Sequence, residues 1–356
     1  MQLFLNILYA ILIFGVLIFV HELGHFLTAK LSGVKVKEFA LCMGPAIFKK
    51  TVGETTYSLR CIPIGGYCAM EGEDEESTDP RAFTAQDWWK RLVILAAGAA
   101  MNFLAGLLIL VILFSTAAGF YSPVITEFQE GCPYESTEGL QVGDKFHSID
   151  GERVYIYSDL SMLWARNKTG VYDFVVIRDG EKVELNDFTF KKADYVIDGQ
   201  TVQRYGVTFS VVPKTFGGVL REAWVSAVDF ARLVRLGLSD LISGAVGIDD
   251  MSGPVGIVSV ISQTGNAAET AGQAAGDIAY LAAFIAVNLA VMNLLPIPAL
   301  DGGRIFFLLV TTLIEKIIRR RIDPKYEGYI HGAGMVLLLA LMAFVVYKDI
   351  VKLIVR

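Results

Sequence analysis

Long apolar stretches constrain this chain more than any other feature. An α-helix needs about 20 apolar residues to cross the hydrocarbon core of a bilayer. The 356-residue sequence has four stretches that reach or approach this length with almost no charge, at residues 3–20, 92–120, 278–300 and 329–347. Charged residues make up only 19% of the chain, against about 25% in soluble domains. The sequence therefore predicts a polytopic α-helical membrane protein with about four transmembrane helices, and it excludes a disordered chain, a coiled coil and an ordinary soluble enzyme.

The distribution of Lys and Arg predicts the orientation, because cytoplasmic segments carry an excess of both near helix ends. The segments after the first and third apolar stretches are basic, whereas the first six residues contain no Lys or Arg. We therefore expect a multi-pass protein of the cell (inner or plasma) membrane, with both basic segments in the cytoplasm and the long segment between the second and third stretches outside it. The basic C-terminus, with Lys348, Lys352 and Arg356, argues for the opposite orientation. The net charge of −6 argues against a nucleic-acid partner.

Residues 121–213 have the character of a small β-rich domain. Asp179-Gly180 is a preferred two-residue hairpin turn, and it lies between two runs of β-forming residues. The pattern Gly-Leu-x-x-Gly-Asp at 139–144, followed by Ile-Asp-Gly at 149–151, resembles the PDZ domains of bacterial envelope proteases. PDZ domains capture extended peptides by adding a strand to a sheet edge. A peptide-binding domain and a size filter without a ligand are both compatible with this pattern.

The remaining segments complete a four-part organisation. Apolar residues recur at spacings of three and four over 219–241, which predicts an amphipathic helix. Glycine and proline alternate with β-forming residues over 45–72, which predicts a β-hairpin region between the first two membrane helices. The predicted parts are the first two transmembrane helices with this hairpin, the PDZ-like domain, the amphipathic helix with a linker, and the last two transmembrane helices, at residues 1–120, 121–213, 214–276 and 277–356.

His21 and His25 are the strongest candidates for chemistry. They lie four residues apart on a predicted helix, so both imidazoles project from one face and can reach one ion. Glu22 completes the pattern H-E-x-x-H, in which its carboxylate can activate a water as general base. The motif ends an apolar stretch, and ionisable residues within a membrane are costly and usually functional. With the N-terminus outside the cytoplasm, the site would lie toward the cytoplasmic side of the bilayer.

A catalytic zinc needs three protein ligands and one open position. Asp301 is the strongest candidate for the third ligand, because it follows an uncharged run in a segment whose prolines and glycines cannot continue a regular helix. Irregular backbone at membrane depth occurs only where protein or a watery cavity surrounds it. His331 is the alternative ligand, and a simple capping role for Asp301 is the alternative function. Asn293 could donate a hydrogen bond to an oxyanion or to substrate, or to a neighbouring helix.

These motifs occur together in one known family. H-E-L-G-H at 21–25, N-L-L-P-I-P-A-L-D-G-G at 293–303 and the PDZ-like insert between them resemble the site-2 protease family, and within it the bacterial RseP-type regulated intramembrane zinc metalloproteases. The segments I-P-I-G-G-Y at 62–67 and S-G-P-V-G-I at 252–257 also resemble family segments, so the resemblance covers nearly the whole chain. RseP itself has two tandem PDZ domains, and this chain has room for one. It is therefore similar to the shorter, single-PDZ members.

The resemblance implies a role for each candidate. His21, His25 and Asp301 would bind Zn²⁺, which favours Asp301 over His331. Glu22 would be the catalytic glutamate, and Asn293 would help to hold the substrate. The predicted hairpin would be membrane-associated and would pair with an unwound substrate strand. The implied activity is hydrolysis of peptide bonds within transmembrane segments of anti-sigma factors or of signal-peptide remnants.

Two other functions compete with this hypothesis. A non-enzymatic membrane adaptor would use the PDZ-like domain as its working part, bind no metal and tolerate substitution of Glu22 and Asp301. A transporter or channel would use the broken third helix as its site, but the sequence shows no evident inverted repeat. The transporter or channel hypothesis would also make the H-E-x-x-H spacing a coincidence.

Overall fold

The computed structural model describes residues 2–73, 75, 77–197, 200–244, 247, 256, 259–260, 263, 270–319 and 325–355. The chain divides into two compact units. The membrane unit consists of Met1–Leu110 together with Phe230–Arg356, and the β unit consists of Val111–Asp229. Most of the family-like segment at 252–257 and most of the predicted linker lie outside the described residues.

Helices dominate the membrane unit. Among the described residues the long helices are, in chain order, α1 (Gln2–Leu31), α2 (Trp88–Ser115), α3 (Tyr157–Arg166), α4 (Phe216–Ser243), α5 (Ala271–Asn293), α6 (Asp301–Ile318) and α7 (Lys325–Val355). Four of them contain segments that are long and apolar enough to cross a membrane, at Leu8–Leu31, Trp88–Ser115, Ala271–Asn293 and Gly328–Asp349. The chain is therefore a multi-pass membrane protein, as its apolar stretches predict. The amphipathic helix expected over 219–241 is α4.

Two helix ends differ from the sequence-based prediction. The apolar stretch that was expected to remain helical to residue 120 leaves the helix at Ser115, and its last residues begin a strand, Gly119–Phe128. Hydropathy does not distinguish an apolar helix from an apolar strand, which explains the overshoot. The second difference concerns α1. This helix continues past the H-E-x-x-H motif to Leu31, whereas the sequence predicts that the motif ends the helix.

Close packing of α1 on α2 explains the glycine within H-E-L-G-H. A Cβ at Gly24 would lie 2.5 Å from the carbonyl oxygen of Ala97 and 2.9 Å from Cγ of Met101. Without strong hydrophobic driving force between helices in lipid, close approach of backbones at small residues provides the packing energy. Gly24 and Ala97 therefore hold the two helices close together beside the two histidines.

The break predicted in the third membrane helix lies between α5 and α6. Helix α5 ends at Asn293, and α6 begins at Asp301. The connection folds tightly over the first turn of α6, because a Cβ at Gly302 would overlap the carbonyl group of Leu294. Ala299 within it has φ of 77°, in the left-handed region. The two glycines after Asp301 thus allow the connection to return across the start of α6.

A long hairpin connects α1 to α2. Its strands are β1 (Val36–Val52) and β2 (Thr55–Met70), and the hairpin begins earlier than residue 45, where the sequence first predicts it. Both strands bend, so that Leu41 pairs with Gly66 on one side and with Leu59 on the other, while Leu59 also pairs with Phe48. The result is a small antiparallel sheet whose segments follow the order 48–52, 55–59, 38–41 and 66–70. Its last segment is called the 66–70 edge below.

The β unit contains an antiparallel sheet and α3, together with the end of α2 and the first part of α4. The strands are β3 (Gly119–Phe128), β4 (Lys145–Ile149), β5 (Glu152–Arg153), β6 (Val171–Arg178), β7 (Glu181–Thr189), β8 (Ala193–Ile197), β9 (Gln200–Arg204) and β10 (Val207–Pro213). The main sheet has the order β10-β3-β4-β6-β7, β5 pairs with β4, and β8 and β9 form a separate hairpin. Phe146, Phe174 and Phe190 are fully buried and form its core with apolar residues of α3. A β-rich domain is thereby confirmed, and its assignment as a PDZ domain stays a prediction.

Two local features of the β unit follow directly from sequence. Asp179 and Gly180 both have positive φ, 52° and 89°, which is the type I′ geometry that an Asp-Gly turn between β6 and β7 favours. The Gly-Leu-x-x-Gly-Asp loop is fixed by its last residue, Asp144, which is fully buried. Asp144 accepts two hydrogen bonds from the Arg178 guanidinium, each 2.8 Å long. Arg178 also donates to the carbonyl oxygen of Gly139, so that one side chain closes the loop.

Candidate metal centre

Helix α1 carries His21 and His25 one turn apart, so their rings lie side by side. The ring centroids are 4.8 Å apart, and the two Nε2 atoms are 3.2 Å apart. Asp301, the first residue of α6, places its Oδ2 3.2 Å from Nε2 of His21 and 3.4 Å from Nε2 of His25. Within the described ranges these three residues are the one group of His, Cys, Asp and Glu that could hold a metal ion. All three side chains are largely buried.

The three donor atoms form a triangle that fits a tetrahedral zinc ion. Zinc binds imidazole nitrogen and carboxylate oxygen at about 2.0–2.2 Å, which separates tetrahedral ligand atoms by about 3.3–3.5 Å. The sides of the triangle, 3.2, 3.2 and 3.4 Å, agree with this separation. Oδ2 of Asp301 is buried without a hydrogen-bond partner among the described residues, as expected for an oxygen that faces a cation. Two nitrogens and one oxygen leave a fourth position open, as in catalytic zinc sites.

A backbone carbonyl of α2 sets the tautomer of His25. Nδ1 of His25 lies 2.8 Å from the carbonyl oxygen of Ile94. A carbonyl oxygen only accepts hydrogen bonds, so Nδ1 carries the proton and Nε2 of the neutral ring presents its lone pair to the centre of the triangle. Ile94 was not visible as a site residue from sequence, because a backbone contact leaves no side-chain signature.

Asn293, the last residue of α5, contacts the other histidine. Its side-chain amide lies 3.4 Å from Nδ1 of His21. For Nε2 of His21 to act as a metal ligand, Nδ1 must carry the proton and the amide oxygen of Asn293 must accept it, an orientation reached by a half-turn of the amide. Asn293 therefore belongs to the same cluster as the two histidines, and its contact joins the end of α5 to His21 of α1.

Glycine at position 98 lets α2 approach the two imidazoles. A Cβ at Gly98 would overlap Nε2 of His25 and lie 2.7 Å from Cε1 of His21. The backbone of α2 thus forms one wall of the centre, and no larger residue fits there without displacing a ring. The sequence gives no sign of this role, because the contact joins residues far apart in the chain.

Glu22 lies between the histidines and the hairpin sheet. A Cβ at Gly66 would lie 3.1 Å from Cγ of Glu22 and 3.1 Å from Cγ2 of Ile18. The 66–70 edge therefore packs directly on the face of α1 that carries the H-E-x-x-H glutamate. Among the described strands, this edge pairs on one side only, with the segment around Leu41.

Sequence comparison shows the family to which this chain belongs. The profile of the family described as "Peptidase family M50" matches residues 9–341. The chain belongs to peptidase family M50. A putative zinc metalloprotease of Clostridium perfringens is 35% identical to it over 347 residues, which cover 97% of this chain and 98% of the relative. The regulator of sigma-W protease RasP of Bacillus subtilis is 28% identical over 428 residues, which cover 96% of this chain and 97% of the relative.

Membership of family M50 confirms the resemblance drawn from the motifs. The chain is a zinc metallopeptidase of the site-2 protease type, and zinc is its cofactor. A further similar protein, the zinc metalloprotease RasP of Geobacillus kaustophilus, is 28% identical over 432 residues and covers 98% of both chains. The donor set of two imidazoles and one carboxylate fits the zinc ion that this family requires.

His331 does not belong to the group of described residues that could hold one metal ion. This residue of α7 was the alternative third ligand, but its Nδ1 accepts a hydrogen bond from the backbone N–H of Ala299. Asp301 is thus the residue that completes the cluster.

His147 lies in β4 of the β unit, where the pKa of its imidazole is lowered by burial and by the nearby cations Lys145, Arg153 and Lys182.

Proposed function

We propose that this chain hydrolyses peptide bonds inside transmembrane segments of other membrane proteins. The observation that carries the proposal is the triangle formed by His21, His25 and Asp301. Both histidines lie within a membrane-spanning segment, Leu8–Leu31. A hydrolytic site at this depth meets polypeptide that lies in the bilayer, whereas a soluble peptide would have to enter the membrane to reach it.

The proposed roles follow from the contacts of each side chain. His21 Nε2, His25 Nε2 and Asp301 Oδ2 would hold zinc, which when bound supplies Lewis acidity to a water and to a peptide carbonyl. Glu22 accepts a proton from the attacking water while the water oxygen bonds to the carbonyl carbon. The same carboxylate then delivers the proton to the amide nitrogen as the C–N bond breaks. Asn293, with its oxygen on His21, directs its NH₂ group toward the substrate carbonyl.

The 66–70 edge offers a place for the substrate backbone. A helical substrate engages its carbonyl groups in hydrogen bonds within the helix, so it must unwind before hydrolysis. An unwound segment can regain backbone hydrogen bonds by adding as a strand to an unpaired sheet edge. Because Gly66 packs against Glu22, a strand added here would present its peptide bonds beside the proposed general base.

The class of substrate and the orientation are further parts of the proposal. One similar protein is named a regulator of sigma-W protease. By analogy, we propose anti-sigma factors as substrates, with signal-peptide remnants as the other class. The distribution of Lys and Arg supports a metal centre toward the cytoplasmic side and a β unit outside the cytoplasm. There the β unit would act as a PDZ-like domain that senses or filters the extracytoplasmic part of a substrate.

The test combines metal content with cleavage. Wild type, Glu22→Gln and Asp301→Ala are purified in mild detergent, and zinc per chain is measured by mass spectrometry. Each protein is then reconstituted with a single-span anti-sigma factor shortened to a brief extracytoplasmic stub. We expect about one zinc and cleavage in wild type, zinc without cleavage in Glu22→Gln, and loss of both in Asp301→Ala. Glu22→Gln is nearly isosteric and removes only the proton acceptor.

Two results would contradict the proposal in different ways. Cleavage by Glu22→Gln would remove this residue from the general-base role. Full zinc content in Asp301→Ala would remove Asp301 from the ligand set. A wild type that binds no zinc after zinc supplementation, with no effect of either substitution, would favour the adaptor that uses its β unit to bind proteins.

A further inference from the structure

The turn that precedes Asp301 is held by a side chain from another helix. His331 of α7 accepts at Nδ1 a hydrogen bond from the backbone N–H of Ala299, with 3.0 Å between the two nitrogens. Ala299 lies two residues before Asp301 and has φ of 77°. In this left-handed region an L-residue is strained, and such a conformation persists only where its surroundings fix it.

Both neighbouring helices pack on this turn. On α7, Gly334 lies one turn beyond His331, and a Cβ there would overlap Pro298 and lie 3.0 Å from its carbonyl oxygen. On α6, the ring of Phe307 meets the ring of His331 edge to face, with centroids 5.4 Å apart. His331 is therefore wedged between α6 and the turn, and α7 approaches the turn closely on the same face.

The hydrogen bond from Ala299 meets a requirement that the turn itself does not satisfy. A backbone N–H at membrane depth needs an acceptor, because lipid provides none. Leu300 donates to the carbonyl oxygen of Ile297, and Gly303 donates to that of Leu300. The acceptor that the structure provides for Ala299 comes from α7, far along the chain.

We propose that His331 is a positioning residue for the metal centre. By fixing the left-handed turn at Ala299, it holds the start of α6 so that Asp301 Oδ2 stays at bonding distance from the ion held by the two histidines. Metal sites depend on ligand distances to within about 0.2 Å, so a turn that relaxes by more than this distance weakens binding. The inference rests on the metal site proposed above, because it assigns to His331 an effect on Asp301.

The test compares substitutions that differ in where they place an acceptor. His331→Asn puts its Oδ1 where Nδ1 of the histidine lies, His331→Gln moves the acceptor one bond farther, and His331→Leu removes it. Tyr329→Leu changes an exposed residue of the same helix and serves as matched control. Asp301→Ala reports on the metal site itself. Full-length protein in detergent is titrated with a zinc chelator, and bound zinc is measured by mass spectrometry.

We expect zinc affinity within about threefold of wild type for His331→Asn and Tyr329→Leu, and about 10- to 100-fold weaker binding for His331→Gln and His331→Leu. The proposal is overturned if His331→Gln and His331→Leu bind zinc as tightly as wild type. It is also overturned if His331→Asn loses as much affinity as His331→Gln, because the position of the acceptor would then not matter. Should His331→Leu fail to fold, the Asn and Gln variants decide alone.

The same series separates failure of this inference from failure of the proposed function. If Asp301→Ala loses zinc while His331→Gln and His331→Leu keep it, the proposed metal site stands and the proposed role of His331 is wrong. If Asp301→Ala keeps zinc, the proposed ligand set is wrong, and the role of His331 falls with it.

Discussion

Replacing Gly98 by alanine should damage the metal centre by steric displacement alone. The added Cβ would overlap Nε2 of His25 and lie 2.7 Å from Cε1 of His21 and 2.8 Å from Cε1 of His25. Carbon atoms in ordinary contact are separated by about 3.5 Å, so the contact with His21 alone requires a ring or the backbone of α2 to move by about 0.8 Å. This displacement exceeds the roughly 0.2 Å within which metal–ligand distances are held.

The expected cost is therefore larger for zinc than for folding. Displaced or badly oriented ligands weaken metal binding about 10- to 100-fold, equivalent to about 1.4–2.8 kcal/mol. Overpacking costs about 1–3 kcal/mol of stability, and replacing a helical glycine by alanine returns up to about 1 kcal/mol. Gly98→Ala should thus remain folded while it loses zinc at chelator concentrations that wild type resists.

Two glycines provide matched controls for this measurement. Gly106 of the same helix would place a Cβ 2.8 Å from Cγ2 of Val287 on α5, so Gly106→Ala tests packing stress at another contact of α2. Gly15 of α1 has nothing within 4 Å of an added Cβ, so Gly15→Ala tests the substitution itself. Zinc titration and thermal unfolding are measured on all four proteins. Wild-type zinc affinity in Gly98→Ala, or an equal loss of zinc in Gly106→Ala, would refute the steric argument.

Three further results are expected. Arg304→Gln should weaken zinc binding by a few-fold, because the partly buried ion pair of Arg304 with Glu73 connects the first turn of α6 to the segment that follows the hairpin. Unchanged resistance of bound zinc to a chelator would contradict this prediction. Asp144→Ala should lower the free energy of unfolding of the β unit by about 3 kcal/mol, because the substitution leaves the Arg178 guanidinium without its carboxylate partner. Unaltered thermal unfolding of the full chain would count against this prediction. Burial raises the pKa of Tyr172 to about 12, from about 10 in an unfolded chain. The folded state therefore holds this proton more tightly, and the stability it contributes is complete below pH 10 and is lost between pH 10 and about 12, by up to about 3 kcal/mol. Tyr172→Phe should show a correspondingly smaller loss of thermal stability over that pH range, and parallel curves for the two proteins would exclude the effect.

Local sequence patterns predict the structural elements that are determined by residues close together in the sequence. The Asp179-Gly180 turn, the amphipathic helix α4 and the break before Asp301 each follow from residue types at fixed short spacings. H-E-x-x-H likewise pairs two side chains of one helix turn. Such features are encoded within one or two turns of chain, where backbone preferences and side-chain periodicity decide the outcome.

The remaining parts depend on contacts between distant segments. Ile94 contributes its backbone carbonyl oxygen to the centre, and Gly98 contributes the absence of a side chain where the imidazoles pack. Neither property distinguishes these two residues from others of an apolar helix. His331 was considered as a ligand because its residue type can bind zinc, yet its position on α7 gives it a hydrogen bond to Ala299 instead. A residue type indicates which chemistry is possible, whereas the packing of helices decides which chemistry is realised.

If a substrate strand adds to the 66–70 edge as proposed, the bent hairpin restricts where that substrate can be cut. Backbone hydrogen bonds along an antiparallel edge repeat every second residue, and the side chains of an added strand alternate between the two faces of the sheet. A polypeptide on the 66–70 edge can therefore slide only in steps of two residues, about 6.8 Å, if it keeps its hydrogen bonds and its facing side chains. Secondary products should differ from the main product by an even number of residues. The two-residue repeat of the edge would thus set the allowed cleavage positions. Product lengths should therefore vary less between substrates than the residues at the cut bond do.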